Sequence, residues 1–218
     1  MAFNDMVIEF QKVFPKLKIA YKDSSLLMQL IGKLMFFDQS FMTEYTTTIG
    51  NTIFFPSAEF ISSNPISAEI LLCHECTHIS DSTNINDYVY SLSYILPQGL
   101  SLLIPFLLFI LSWKIVLPLF ILSLCPIPSY FRKVFEMRAY MVSIYANNAL
   151  CKKFNLVPDF AAQEANIVSQ FKGSAYYFMW PMSSVNRSFD AAVALVKAGK
   201  RPFNDPFFYT IDKIIAVA

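Results

Sequence analysis

The chain has 218 residues, of which 55% are apolar and 15% charged, with 17 basic side chains against 16 acidic ones. An ordinary soluble domain carries about 25% charge, so a charge set this sparse and balanced excludes a disordered chain and a nucleic-acid binder held by bulk electrostatics. A mean hydropathy of +0.45 indicates that part of the chain meets lipid or a large apolar partner.

The amino end, Met1 to Lys18, carries Asp5 and Glu9 and lacks the apolar core of a signal peptide, so none is expected. Asn4 to Phe14 predicts a short amphipathic helix ended by Pro15. Ser24 to Phe37 predicts a second helix, capped by Asp23 or Ser24, with Leu26, Leu27, Leu30, Ile31, Leu34 and Met35 apolar. Thr46 to Pro56 is rich in β-branched and aromatic residues around Gly50-Asn51 and predicts two short strands about a tight turn, or one bulged strand. Asn64 as N-cap and Pro65 at the first helical position open a helix that should run to about Ser80.

From Tyr88 to Phe131 the only charged residue is Lys114. Helices are predicted again from Pro128 to Phe154, Ala161 to Phe171, Ser188 to Ala198 (with Gly199 just past its end) and Ile211 to Val217. No internal repeat is visible. Cys73, Cys76, Cys125 and Cys151 do not form a secreted disulfide framework, which points to a reducing compartment. The pattern is α+β and mainly helical, with a small β-hairpin or edge strand.

The chemistry lies in His74-Glu75-Cys76-Thr77-His78, an H-E-x-x-H sequence that uses both histidines of the chain. On a helix, residues i and i+4 share a face, so the two imidazoles are half of a zinc site. Glu75 between them can act as general base on a zinc-bound water. Cys76 falls on the far side of that helix, away from the metal, and Asp81 falls near the metal face, where it could fix a histidine tautomer.

Zinc needs a third protein ligand and an open position. No histidine remains, and Asp81 and Asn84 stand where a metzincin would have Gly and His. Among the acids, Glu136 lies on a well-formed helix whose same face holds the small or polar residues Ser129, Ala139, Tyr140, Ser143 and Asn147. Tyr140, Tyr176 and Arg187 are candidates to stabilise an oxyanion.

His-Glu-x-x-His, then an apolar helical hairpin, then Glu on a later helix resembles the gluzincin metallopeptidases. The arrangement is similar to their membrane-embedded prenyl-protease and heat-shock-protease branch. That branch reads Glu-x-x-Ala-Asp at its Glu ligand; here Glu136-Met137-Arg138-Ala139-Tyr140 departs at the last position. Trp180-Pro181 followed by Arg187 is a loose echo of its later His-Pro and Arg segment. A weaker similarity is to metallopeptidase-like proteins of bacterial viruses. The resemblance implies a minimal zincin-like domain (residues 1–87 and 128–218) interrupted by a hydrophobic helical hairpin (residues 88–131). It also implies a zinc cofactor on His74, His78 and Glu136, and a strand beside the motif helix, Thr52, Ile53 and Phe54 onward, that pairs with extended substrate.

Leu100 to Trp113 and Ile115 to Tyr130 are each short for the ~30 Å hydrocarbon core at 1.5 Å per residue, and Pro97, Pro105, Pro118, Pro126 and Pro128 punctuate them. The segment therefore reads as a thin or tilted spanning hairpin, a re-entrant one, or one buried in an assembly. Arg132, Lys133 and Arg138 put the globular part on the cytoplasmic side. The expectation is a zinc-dependent metallopeptidase acting on peptide or protein at or near a membrane. The other reading is a membrane-inserting structural protein, as in a virion or secretion machine, with a relic or structural zinc site.

Overall fold

The computed structural model describes residues 3–34, 39–96, 104–109, 111–123, 129–172 and 182–217. The fold is α+β and mainly helical. Helix α1 (Phe3–Val13) leads through β1 (Lys18–Tyr21), α2 (Leu26–Leu34) and a 3-10 turn at Gln39–Phe41 to the hairpin β2 (Thr47–Ile49) and β3 (Thr52–Phe55). Then come α3 (Ala58–Ser63), α4 (Pro65–Ile85) and α5 (Asp87–Ile95). A 3-10 stretch (Ile104–Phe109) and α6 (Trp113–Ser123) precede α7 (Tyr130–Lys153), α8 (Phe160–Lys172), α9 (Met182–Lys197) and α10 (Pro206–Val217).

The strand order is β1-β3-β2, with β1 parallel and β2 antiparallel to β3. Gly50, at φ 58°, supplies the left-handed residue that lets β2 turn into β3. Strand β3 is therefore central, and its backbone groups are taken up on both sides. The expected substrate strand Thr52, Ile53 and Phe54 is corrected accordingly: β2 and β1 are the edges of this sheet, because the Lys18–Tyr21 segment pairs where a free edge was expected. Thr48 stands opposite Ile53, so the two side chains share the face turned to α4.

One core joins the two ends of the chain. Phe3, Met6 and Phe10 of α1, Ile53 and Phe55 of β3, and Leu72, Cys73 and Cys76 of α4 pack with Val142, Ala146 and Leu150 of α7 and Phe208 of α10. A second cluster, Ile144 with Phe171, Val185 and Phe189, seats α8 and α9 on α7. Phe54 faces the other way, onto Met28 and Phe41. Helix α4 starts at Pro65 as expected, but Asn64 makes no side-chain cap bond and the helix runs five residues past Ser80, to Ile85. Helix α3 begins on an unforeseen cap, Ser57 Oγ accepting from Phe60 N at 3.1 Å. Helix α10 begins at Pro206 rather than Ile211, because Asp205 Oδ1 accepts from Phe207 N at 2.7 Å and caps an earlier turn.

The long apolar helical hairpin is not what the described residues form. Tyr88 to Ile95 belong to α5, Ile104–Phe109 is a 3-10 stretch, and α6 is 11 residues long with Pro118 inside it. Pro118, inside α6, lacks the N–H that would bond the preceding turn and so weakens that helix. Among the described residues no helix is long and apolar enough to cross a membrane. Met35, Cys125, Tyr176, Trp180 and Pro181 lie outside the described residues.

Candidate metal centre

Helices α4 and α7 form the most extensive helix pair among the described residues, and the centre lies between them. His74, Glu75 and His78 come from α4 and Glu136 from α7; all four are buried. His74 Nε2 lies 3.3 Å from His78 Nε2 and 3.5 Å from Glu136 Oε2, and His78 Nε2 lies 3.7 Å from Glu136 Oε1. Two atoms bound 2.0–2.2 Å from one tetrahedral ion stand roughly 3.3–3.6 Å apart, so the three side chains have the spacing of a shared ion.

The protons agree with that reading. Ser143 Oγ donates to the Ala139 carbonyl at 3.1 Å and so accepts from His74 Nδ1, also at 3.1 Å. Hydrogen-bonding assigns the proton of His74 to Nδ1 and leaves Nε2 as a bare lone pair. At 3.5 Å that nitrogen makes no charge-assisted bond to Glu136 Oε2, which is buried and has no hydrogen-bond partner. Three side chains able to offer lone pairs thus converge in a buried site, and a cation among them would offset the cost of burying Glu136 Oε2 without a partner. The trio can hold a metal ion, and it is the only such His/Cys/Asp/Glu group among the described residues.

Burial dominates the titration of the centre. It pushes His78 down to about 4 despite the charge of Glu136. Burial also opposes ionisation of Glu136, but its interactions with His78, His74 and Arg132 outweigh it and hold the carboxyl at about 2. For His74 desolvation is overcome by Glu136 and Glu75, and its pKa rises. Glu75 is raised by burial, against the pull of His74 and a hydrogen bond from Thr48. That bond runs from Thr48 Oγ1 to Glu75 Oε2 at 2.7 Å and ties strand β2 to the motif helix.

The remaining expected residues are dispersed. Asp81 is not against an imidazole: it pairs with Arg138, which also bonds Asp205 at 2.7 Å, because Arg138 reaches across from α7 to α4 and claims that carboxylate first. Burial raises Asp81 to about 6 in spite of Arg138. Tyr140 is at the centre, its ring edge-on to His74 at 4.6 Å and packed on Phe171 and Phe189. Arg187 is exposed on α9 and makes no contact with the trio among the described residues. Cys73 and Cys76 are buried in the main core, with thiols pushed up by burial, in keeping with Cys76 facing away from the metal.

Three contacts were not foreseen. Tyr90 Oη lies 2.9 Å from His78 Nδ1, Tyr94 Oη donates to Glu136 Oε1, and Thr48 holds Glu75. The tyrosines had a signal, two polar-tipped aromatics four apart just after the motif helix, but it was hidden in an apolar run. Thr48 had none, since its partner is 27 residues away and met only through sheet pairing. No family model, curated protein or solved structure matches the chain.

Proposed function

We propose that this chain is a zinc-dependent metallopeptidase that hydrolyses peptide bonds at a membrane surface. The observation that carries the reading is the convergence of His74, His78 and Glu136 ligand atoms within 4.8 Å, beside the buried carboxylate of Glu75. A zinc ion held by these three residues supplies a Lewis acid and a water of lowered pKa.

Glu75 takes the proton of the attacking water and returns it to the leaving amine. Burial raises the pKa of its carboxyl, the direction that favours taking up a proton. Thr48 fixes one of its oxygens and leaves the other for the proton. Tyr140 lines the centre and is the candidate to hydrogen-bond a developing oxyanion; Arg187, exposed on α9, is set aside. The edge β2, rather than β3, is the strand beside Glu75 that an extended peptide would join.

The membrane part of the reading rests on exposed apolar side chains. Tyr88, Val89 and Leu92 of α5, Trp113, Leu117 and Leu122 of α6, and Tyr130 and Phe131 of α7 are all exposed. Short helices with such faces lie in an interface rather than cross it. Arg132, Lys133 and Arg138, which follow the apolar stretch, support a globular part on the cytoplasmic side.

A second reading is favoured by one observation, the near-complete burial of the three ligands, which also suits a closed structural zinc site in a membrane-inserting structural protein. Glu75→Gln separates the two. Gln keeps the shape and cannot take up the proton, so zinc content and fold are retained while peptide hydrolysis falls by about 10²–10⁴-fold. Equal turnover by both proteins removes Glu75 as the base. No turnover by wild type, with lipid present and a broad peptide mixture, supports the structural reading.

A further inference from the structure

Helix α5 lies across both metal-bearing helices, and its two inward tyrosines end on ligand atoms. Tyr90 and Tyr94 are one turn apart, as His74 and His78 are on α4. Tyr90 Oη is 2.9 Å from His78 Nδ1, and Tyr94 Oη donates to Glu136 Oε1. Their rings are held independently of any metal. Tyr90 packs on Phe135 at 4.6 Å and on Tyr94 at 5.9 Å, and the Arg132 guanidinium lies over the Tyr94 ring at 4.9 Å. The start of α5 is fixed by Asn86 Oδ1, which accepts from Tyr88 N at 3.1 Å, and by Ser82 Oγ, which donates to Asp87.

The ring packing explains an aromatic at each position and leaves the hydroxyls unexplained. Phenylalanine would fill the same space without bringing a polar group into a buried centre. Each hydroxyl instead settles the state of one ligand. Glu136 has two oxygens facing the histidines: Tyr94 occupies Oε1, and Oε2 is left unpartnered. A carboxylate tethered on one oxygen presents the other alone, which favours single-oxygen ligation and leaves room in a four-coordinate site. His78 must carry its proton on Nδ1 for Nε2 to ligate, and Tyr90 Oη, 2.9 Å from that nitrogen, is placed to accept the bond this tautomer makes.

We propose that Tyr90 and Tyr94 are positioning residues of the metal centre, so that α5 is as much a part of it as α4 and α7. The inference rests on the metal-binding reading above. Partners of this kind are typically worth 10–100-fold in metal affinity.

The test uses the full chain as wild type, Tyr94→Phe and Tyr90→Phe. Tyr88→Phe is the control, since Tyr88 is on the same helix and 86% exposed. Zinc affinity is measured by competition with a chromophoric chelator, and the visible spectrum of each protein is recorded with cobalt(II). The thermal midpoint of each metal-free protein is measured alongside. Tyr94→Phe and Tyr90→Phe should each bind zinc roughly 10–100-fold more weakly, with metal-free midpoints near wild type. The cobalt spectrum of Tyr94→Phe should weaken as Glu136 turns to bind through both oxygens, while Tyr88→Phe matches wild type throughout. Wild-type zinc affinity and cobalt spectra in both variants overturn the positioning role and leave the metal reading standing. A wild-type protein that takes up neither metal overturns both. If Tyr94→Phe does not fold, Tyr90→Phe decides the same question at His78.

Discussion

Glu136 makes the centre more than a pair of histidines. It sits 62 positions beyond His74 in the chain, yet its Oε2 is 3.5 Å from His74 Nε2. Burial of an unpartnered carboxylate oxygen beside two imidazoles is costly unless a cation lies among them. Glu136→Gln preserves the shape and can still accept from Tyr94, but removes the charge. It should lose zinc affinity by more than the roughly 10–100-fold that an outer hydrogen-bond partner is worth. Elemental analysis after dialysis reads the result: one zinc retained per chain would remove Glu136 from the ligand set. The glutamate is legible in the sequence because few acids lie on a well-formed helix past the motif. Its hydrogen bond from Tyr94 is not, because nothing in sequence spacing relates two helices that cross.

At the scale of elements, β2 links the sheet to the chemistry. Thr48 shares a face with Ile53, and Ile53 is fully buried in the core, so the register that buries Ile53 also aims Thr48 at α4. Its hydroxyl meets Glu75 Oε2 at 2.7 Å. Thr48→Val keeps a β-branched residue of the same size in the strand and deletes only that bond. A hydrogen bond to a charged group contributes about 1.5–3 kcal/mol, so loss of alignment should lower kcat by roughly tenfold to a hundredfold. Zinc content should not change, because Thr48 touches no ligand. Peptide turnover at saturating substrate, set beside zinc analysis of the same sample, checks it; an unaltered kcat would make the contact structural only. The Gly50-Asn51 signal makes the hairpin legible. The order of strands is not, since the four-residue strand Lys18–Tyr21 carries too short a pattern to announce a parallel pairing with β3.

For the whole molecule, the apolar surplus is distributed unevenly. The core clusters hold most of the buried phenylalanines, while α6 leaves Trp113 63%, Leu117 50% and Leu122 63% exposed. Large apolar side chains exposed nearly all round one helix exceed the scattered exposure of an ordinary surface and support the proposed lipid contact. The triple substitution Trp113→Glu, Leu117→Glu and Leu122→Glu alters only exposed positions and should leave folding and zinc binding intact. Each large apolar side chain withdrawn from lipid forfeits about 1.5–3 kcal/mol, so binding to phospholipid vesicles should weaken by tenfold at the least. Co-sedimentation with vesicles measures this; undiminished binding would move the lipid-facing surface away from α6.

The sequence by itself determined the helical character, the turn at Gly50, the motif helix and the pairing of His74 with His78 on one of its faces. Each of these is written in local periodicity, in a cap, or in a spacing of four on one helix face, and such signals need no knowledge of what packs on what. Tertiary structure alone decided that β3 is central and β2 the edge, that Asp81 belongs to Arg138, that Arg187 faces outward, and that α5 brings two hydroxyls onto the ligands. These are contacts between segments far apart in the chain. Which polar group meets which there depends on how helices cross and strands pair, and single-residue patterns do not encode it.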